Sequence, residues 1–221
     1  MLPTLILDMD GTLLDLNFDD QVWNHALPRA LAALRGESEV TVRAKVAATL
    51  AAAKGSLAWY CLDHWERVFG ISVHALELEL AELIALRPGT LQFLEFLRAE
   101  GYPAIIATNA HPGSLARKML HTGIEGYFSH LISAHTLGMP KEDPAFWPRL
   151  REVVPFLPEH AVFVDDNAAV LDSARQWGIG HLFGVRSPSS TGGTRTFEDY
   201  QSVDSLVELI PWLRRLQAAG A

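Results

Sequence analysis

The stretch Ile6-Leu7-Asp8-Met9-Asp10-Gly11-Thr12-Leu13-Leu14 decides how this chain of 221 residues is read. The apolar run Leu5 to Leu7 predicts a short buried strand, and it ends abruptly at a carboxylate. Asp8 and Asp10 flank a single residue, so at the end of an extended segment both side chains leave the same face. Gly11 then permits a sharp backbone turn. Two carboxylates held together at a strand exit repel each other unless a cation or a proton relieves them. The pattern points to a metal.

Other polar residues follow apolar runs in the same way. Thr108 ends Ala104-Ile105-Ile106-Ala107, and Asp165-Asp166 follows Ala161-Val162-Phe163-Val164. Lys141 stands in Lys141-Glu142-Asp143-Pro144, a loop bounded by Pro140 and Pro144. From Arg87 onward helices and strands alternate. Pro88 opens a helix in which Leu91, Leu94 and Leu97 pack one face, and Gly101 follows its end. Further helices are expected over Pro112–His121, Pro144–Val153, Ala168–Trp177 and Val203–Gln217, with strands over Leu131–Ala134 and His181–Val185. Alternation of this kind implies a parallel sheet with right-handed crossovers. Ligands of such sheets bind beyond the carboxyl ends of the strands, where strand order reverses. Asp8, Thr108 and Asp165-Asp166 are thereby gathered at one edge on fold logic alone.

Between Asp20 and Leu86 the signals are helical throughout. Pro28 is expected to kink or end the first helix. Ser38 caps a helix over Val40–Lys54, and Ser72 caps another over His74–Leu86. The expected fold is therefore α/β: a doubly wound, Rossmann-like parallel sheet with an inserted all-helical cap. Residues 1–16 and 87–221 would form the core and 17–86 the cap.

Composition bounds the function. Hydrophobic residues make up 49% of the chain and charged residues 20%, with six Trp and ten Phe, which is ample for a packed core and argues against disorder. A net charge of -8 repels nucleic-acid polymers and anionic membranes, so neither is an expected partner. A small phosphate ester is still compatible, because a bound metal and a local lysine reverse the sign inside a pocket. The single cysteine, Cys61, lies in a helical pattern and reads as a small buried hydrophobe. Met1-Leu2-Pro3-Thr4 carries no basic segment, and no stretch approaches ~18 uncharged apolar residues. A cytoplasmic protein is expected.

Asp-x-Asp-Gly-Thr after an apolar strand, followed in order by Thr108, Lys141 and Asp165-Asp166, resembles the motif set of the haloacid-dehalogenase-like superfamily. Asp8 to Leu16, Trp59-Tyr60-Cys61-Leu62-Asp63, Thr108-Asn109-Ala110-His111-Pro112 and Pro140-Lys141-Glu142-Asp143 further resemble the bacterial GMP/IMP 5'-nucleotidases of that superfamily. The resemblance spans nearly the whole chain and is weakest from Gly184 to Asp199. It implies that Asp8 attacks phosphorus to form an aspartyl phosphate. Asp10 would protonate the departing oxygen and then deprotonate the hydrolytic water. The resemblance also implies Mg²⁺ held by the Asp8 carboxylate, the Asp10 backbone carbonyl and one acid of the pair, Asp166 before Asp165. Hard oxygen donors without a Cys/His cluster agree with Mg²⁺ over zinc. Thr108, joined by Asn109, would hold phosphate oxygens. Lys141 would balance Asp8 and the charge developing on the phosphoryl group.

The helical insertion is expected to close over the site and exclude water. Leu62, Trp65 and Phe69 share one helical face, which reads as the cap's own core. Tyr60, Asp63, His64 and Arg67 share another, which either reads a purine or is a solvated surface. Asn17 and Asp19, in the connector, carry the same two readings, and His111 is a weaker candidate. Thr12 serves either the turn or the chemistry. The expected reaction is Mg²⁺-dependent hydrolysis of a purine nucleoside 5'-monophosphate, GMP or IMP. The alternatives are a phosphatase or phosphomutase acting on another small phosphate ester, such as a sugar phosphate, and a binding module that kept the fold without the chemistry. Dehalogenation is disfavoured, because Asp10 supplies a proton-transfer group that reaction does not need.

Overall fold

Six strands, all parallel, form one sheet in the order β3-β2-β1-β4-β5-β6. The computed structural model describes residues 2–219; Met1, Gly220 and Ala221, at the two ends of the expected core, lie outside the described residues. β1 (Leu5–Leu7) is central, flanked by β2 (Ala104–Thr108) and β4 (Val162–Asp165). β3 (His130–Ser133) lies outside β2, and β5 (His181–Val185) and β6 (Gln201–Val203) lie outside β4. The chain thus builds outward from β1 in one direction, returns, and builds in the other. The reversal falls between β1 and β4.

The three central strands are apolar without alternation because helices cover both of their faces. Leu5, Leu7, Ile106 and Val164 pack into one core, whereas Ile6, Ile105, Ala107 and Phe163 pack into the other. α6 (Thr90–Glu100), α7 (Pro112–Thr122), α8 (Ala134–Leu137), α9 (Phe146–Val153), α10 (Ala168–Trp177) and α11 (Leu209–Ala219) supply the covering layers. These bounds differ from the sequence reading in places. The buried face of α6 is Thr90, Phe93, Leu94 and Leu97, and Leu91 points to solvent. Val203 ends an edge strand instead of starting a helix: a Ser205–Glu208 capping box opens a short 3₁₀ turn, and α11 begins only at Leu209. A three-residue edge strand is too short to show a periodicity.

Between β1 and β2 the chain is helical. α1 (Asn17–Asp20) runs through a π turn (Gln21–Ala26) into α2 (Leu27–Arg35), followed by α3 (Glu39–Ala51), α4 (Leu62–Phe69) and α5 (Val73–Glu79). Pro28 does not end this first helix. It has no N–H to give, and the chain accommodates it by widening: the N–H of Leu27 donates to Val22, five residues back. Ser38 and Ser72 accept backbone N–H groups as caps. The helix after Ser72 stops at Glu79, short of the expected Leu86, and continues as a 3₁₀ turn over Ala81–Leu83. Cys61 is half-buried at the junction between a 3₁₀ turn and α4. Phe18, Val22, Leu31, Val42, Trp65 and Phe69 join the core on the Leu5–Leu7 side of the sheet. Among the described residues no helix is long and apolar enough to cross a membrane.

The two crossings between core and insertion are tied to each other. Leu14 bridges Leu86 antiparallel, Asp15 N–H donates to Ala85 at 2.9 Å, and Arg87 N–H donates to Leu13 at 3.0 Å. The buried Arg87 guanidinium then donates to the carbonyls of Thr12, Ser187 and Asp204 at 2.6–3.1 Å. An invariant charge with five donors suits a point where several carbonyls converge.

Candidate active site

The carboxyl ends of β1, β2 and β4 open into a cavity of about 560 Å³. Asp8 follows β1 directly, with its N–H donating to Val164 of β4 at 3.0 Å. Asp165 is the last residue of β4 and Thr108 the last of β2, each one place earlier than a loop assignment would put it. Carboxylate oxygens of Asp8, Asp165 and Asp166 lie within 4.8 Å of one another, all in buried residues. Lys141, 2% exposed, donates to Asp8 Oδ1 at 2.5 Å and Asp165 Oδ2 at 2.7 Å.

Burial pushes the Asp8 carboxyl well up, Lys141 opposes this, and Asp165 and Asp166 add to it. Asp166 is pushed up to about 7, by burial first and then by Asp165, against Arg195 and Lys141. Burial draws the Lys141 ammonium down, but Asp165 and Asp8 outweigh it and hold the charge in place. Three hard oxygen donors whose own repulsion raises their pKa values form a set that a divalent cation fits. The two acids of the pair are not equivalent. Asp165 has both oxygens occupied, by Lys141 and by the Asn167 N–H, whereas Asp166 Oδ2 meets only the Arg195 guanidinium at 2.7 Å.

Gly11 explains the closeness of the first turn. Its φ is +84°, and a Cβ there would sit 2.5 Å from Asp166 Oδ2. Its N–H donates to Leu14 at 2.8 Å. Thr12 Oγ1 is buried without a partner, and Thr12 otherwise serves the turn through its carbonyl, which Arg87 holds.

Asp10 leaves the turn beside a lysine from α7. Lys118, 1% exposed, donates to Asp10 at 2.7 Å and to both oxygens of Asp19 at 2.8 and 2.9 Å, over the ring of Phe18. Burial pulls this ammonium's pKa down, and Asp10, Asp19 and Glu77 together carry it above the usual lysine range. Asp19 is pushed up to about 7 by burial and by Asp10, with Lys118 opposing.

Thr108 Oγ1 accepts the Ala110 N–H at 3.0 Å and keeps its own hydroxyl proton to donate. Asn109 lines the cavity, but its amide is already engaged: it accepts from the Lys141 backbone at 2.8 Å and donates to Glu142 at 2.8 Å. It braces the lysine loop, and its second Nδ2 proton has no partner among the described residues. Glu142 also accepts the Tyr60 hydroxyl at 2.6 Å, which joins the insertion to the core. Burial and Glu142 raise the Tyr60 phenol, so it stays a donor.

Of the other expected substrate contacts, Asp19 and His111 line the cavity, whereas Asn17, Asp63 and His64 do not. Asn17 accepts from the Thr191 hydroxyl, His64 lies edge-on to Trp65, and Asp63 is largely exposed, with His74 at 3.2 Å and His111 at 3.5 Å. Helical spacing put Asp63 and His64 on a face with Tyr60, but Tyr60 ends a 3₁₀ turn before α4 starts. His111 caps α7 by accepting the Gly113 N–H on Nδ1. Its Nε2 proton is therefore the one aimed at Asp63.

Lys118, Glu142 and Arg195 were not singled out from the sequence. Lys118 had a signal, since it falls on the apolar stripe of α7 with Ser114, Leu115 and Met119, where a cation needs a buried partner. Arg195 comes from a Gly-rich loop with no pattern to read.

The model of the haloacid dehalogenase-like hydrolases matches residues 2–178, and this chain belongs to that family. It is an enzyme, a hydrolase. The chain is similar to the GMP/IMP nucleotidase YrfG of Escherichia coli (strain K12), 38% identical over 210 residues that cover 95% of each protein. Among solved structures it resembles an HAD phosphatase from Thermococcus onnurineus (TM-score 0.82, 22% identity, 96% and 98% of the two chains covered). It also resembles the HAD-hydrolase YfnB of Bacillus subtilis bound to magnesium (TM-score 0.67, 16% identity, 96% and 98% covered). At these identities the two structures establish the fold.

Proposed function

We propose that this enzyme is a Mg²⁺-dependent phosphomonoesterase that hydrolyses purine nucleoside 5'-monophosphates, GMP and IMP, through an aspartyl phosphate on Asp8. The observation that carries the reading is the meeting of Asp8, Asp165, Asp166 and Lys141, delivered by three separate segments of the chain, at one point of a cavity large enough for a nucleotide. The 38% identity to a GMP/IMP nucleotidase over nearly the whole chain supports the substrate class.

The Asp8 carboxylate attacks phosphorus as the ester oxygen departs, and Asp10 gives that oxygen a proton. Asp10 then takes a proton from the water that attacks the acyl phosphate, which frees inorganic phosphate and restores Asp8. Lys141 keeps Asp8 ionised and offsets charge on the phosphoryl oxygens. The Thr108 hydroxyl donates to one of those oxygens. The Asp8 carboxylate, the Asp10 carbonyl and Asp166, supported by Asp165, would hold Mg²⁺, which when bound would supply positive charge to offset the repulsion between Asp8 and the phosphate. Residues 17–86 act as a cap on a core of 1–16 and 87–221, and Tyr60 on Glu142 marks the closed position.

The test is phosphate release from GMP, IMP, AMP and glucose 6-phosphate, with Mg²⁺ and with EDTA, for the wild type and Asp8→Asn. Mg²⁺-dependent release from GMP and IMP that Asp8→Asn abolishes is expected. Turnover of glucose 6-phosphate alone would move the substrate to a sugar phosphate, and undiminished activity in Asp8→Asn would remove the nucleophile.

A further inference from the structure

The helix that leaves the catalytic turn lines the cavity along one face, through Leu16, Asp19, Asp20, Trp23 and Asn24. They share one side although the helix widens from Gln21, so it is the cavity lining and not the spacing that groups them. The near end of this face is committed to catalysis, because Asp19 shares Lys118 with Asp10. The far end is not. There, Asn24 Nδ2 donates to Asp20 Oδ1 at 2.6 Å. A carboxylate only accepts, so this contact fixes which way the Asn24 amide faces. Among the described residues Asp20 Oδ2 and Asn24 Oδ1 accept no hydrogen bond. The pair thus offers two free acceptor oxygens, and the second Asn24 Nδ2 proton, at an exposed part of the wall.

Trp23 stands on the same face, and Trp59, Tyr60, Leu50 and Leu62 supply aromatic and aliphatic wall. The π turn over Gln21–Ala26 carries Trp23 and Asn24, and such widened turns set side-chain directions that a regular helix would not. Flat indole surface beside a two-acceptor edge suits a heteroaromatic base that presents donors on one edge.

We infer that Asp20 and Asn24 form the subsite that reads the base, and that they take 6-oxopurines through N1–H, with the 2-amino group of guanine as a second donor. This rests on the nucleotide reading above and names the residues that would give it its preference. Adenine presents a bare N1 acceptor at the same place, so two acceptor lone pairs would face a third. Exchanging an acceptor for a donor there is expected to change discrimination about tenfold to a hundredfold, the range for a paired hydrogen-bond reading of a base.

The experiment compares kcat/KM for GMP, IMP and AMP in the wild type, Asp20→Asn and Asn24→Ala, with circular dichroism to confirm that each variant is folded. Calorimetric binding of guanosine and adenosine, which carry no phosphate, reads the base alone. The wild type is expected to favour GMP and IMP over AMP by at least tenfold and to bind guanosine more tightly than adenosine. Asp20→Asn should narrow both preferences at least tenfold, since its amide can donate to adenine N1, and Asn24→Ala should narrow them less. GMP hydrolysis with both ratios within twofold of the wild type in both variants overturns the subsite while leaving the nucleotidase reading intact. A wild type that turns over no nucleotide overturns both.

Discussion

Replacing Lys118 by methionine removes a cation while keeping most of its volume, so the effect is electrostatic with little cavity contribution. The ammonium is 1% exposed and makes three contacts of 2.7–2.9 Å with Asp10 and Asp19. Removing one partner from a buried ionic cluster typically costs about 3–5 kcal/mol. For a chain of this length each kcal/mol is worth roughly 2–4 °C, so the melting temperature should fall by about 10 °C at pH 8. The loss must depend on pH. Asp19 already sits at about 7 with Lys118 opposing the rise, against an ordinary value of 3.8. Without Lys118 it goes higher, and the native state then holds a proton that the unfolded chain gives up above about pH 4. The variant is therefore penalised most at pH 8, and the penalty shrinks as the pH falls below 7 and Asp19 is protonated in both proteins. Urea unfolding of both proteins at pH 5, 6.5 and 8 measures this directly. A loss below about 1 kcal/mol at pH 8, or one that stays constant on acidification, would refute the claim that the ammonium exists to hold two carboxylates.

The same linkage applies to the metal cluster. Asp166 is at about 7 and Asp165 and Asp8 are also raised, so the protein in EDTA should lose stability as the pH rises from about 4 through 7. Mg²⁺ should raise the melting temperature more at pH 8 than at pH 5, where protons compete for the same oxygens; equal shifts would contradict this. Gly11→Ala meets Asp166 Oδ2 at 2.5 Å and a φ of +84°, and should cost at least about 1 kcal/mol and weaken Mg²⁺ binding, as read by denaturation and calorimetry. Tyr60→Phe removes the 2.6 Å bond to Glu142 and should raise KM with little change in kcat; an effect confined to kcat would show that the contact does not govern closure. Glu142→Ala also frees Asn109 and should lower kcat as well, a split that steady-state kinetics resolves.

The centre of the sheet was legible because β1, β2 and β4 are apolar runs that lead into a carboxylate or a hydroxyl, and parallel topology leaves few ways to arrange them, whereas the short edge strand β6 showed no pattern. Asp8, Thr108 and the Asp165-Asp166 pair could be brought together on that logic, whereas Lys141, in a loop, joined them only through the family resemblance. What failed was side-chain direction within the insertion. Asp63 and His64 share a helical spacing with Tyr60, but the chain changes from a 3₁₀ turn to an α-helix between them, and the spacing loses its meaning. Asn109 could not be separated from Thr108, because only the position of Glu142 shows that its amide is engaged. Lys118 is the reverse case. Its place on the α7 stripe was visible, but its partners lie 99 and 108 residues away in sequence, beyond any local pattern.

The ribbon formed by Leu14 with Leu86, and by Arg87 with Leu13, has an architectural result. Both ends of the inserted segment are fastened to each other before any of its helices begins, so the entropy of closing that loop is settled at the neck and varies only slowly with what hangs beyond it. The neck therefore sets where the insert leaves and rejoins the sheet, while Phe18, Val22 and Trp65 carry its packing onto the Leu5–Leu7 side. A shorter or longer helical module spliced between residues 16 and 85 should leave Asp8, Asp165 and Asp166 assembled while changing which esters reach them, provided that it again presents an acid to Lys118 where Asp19 stands now.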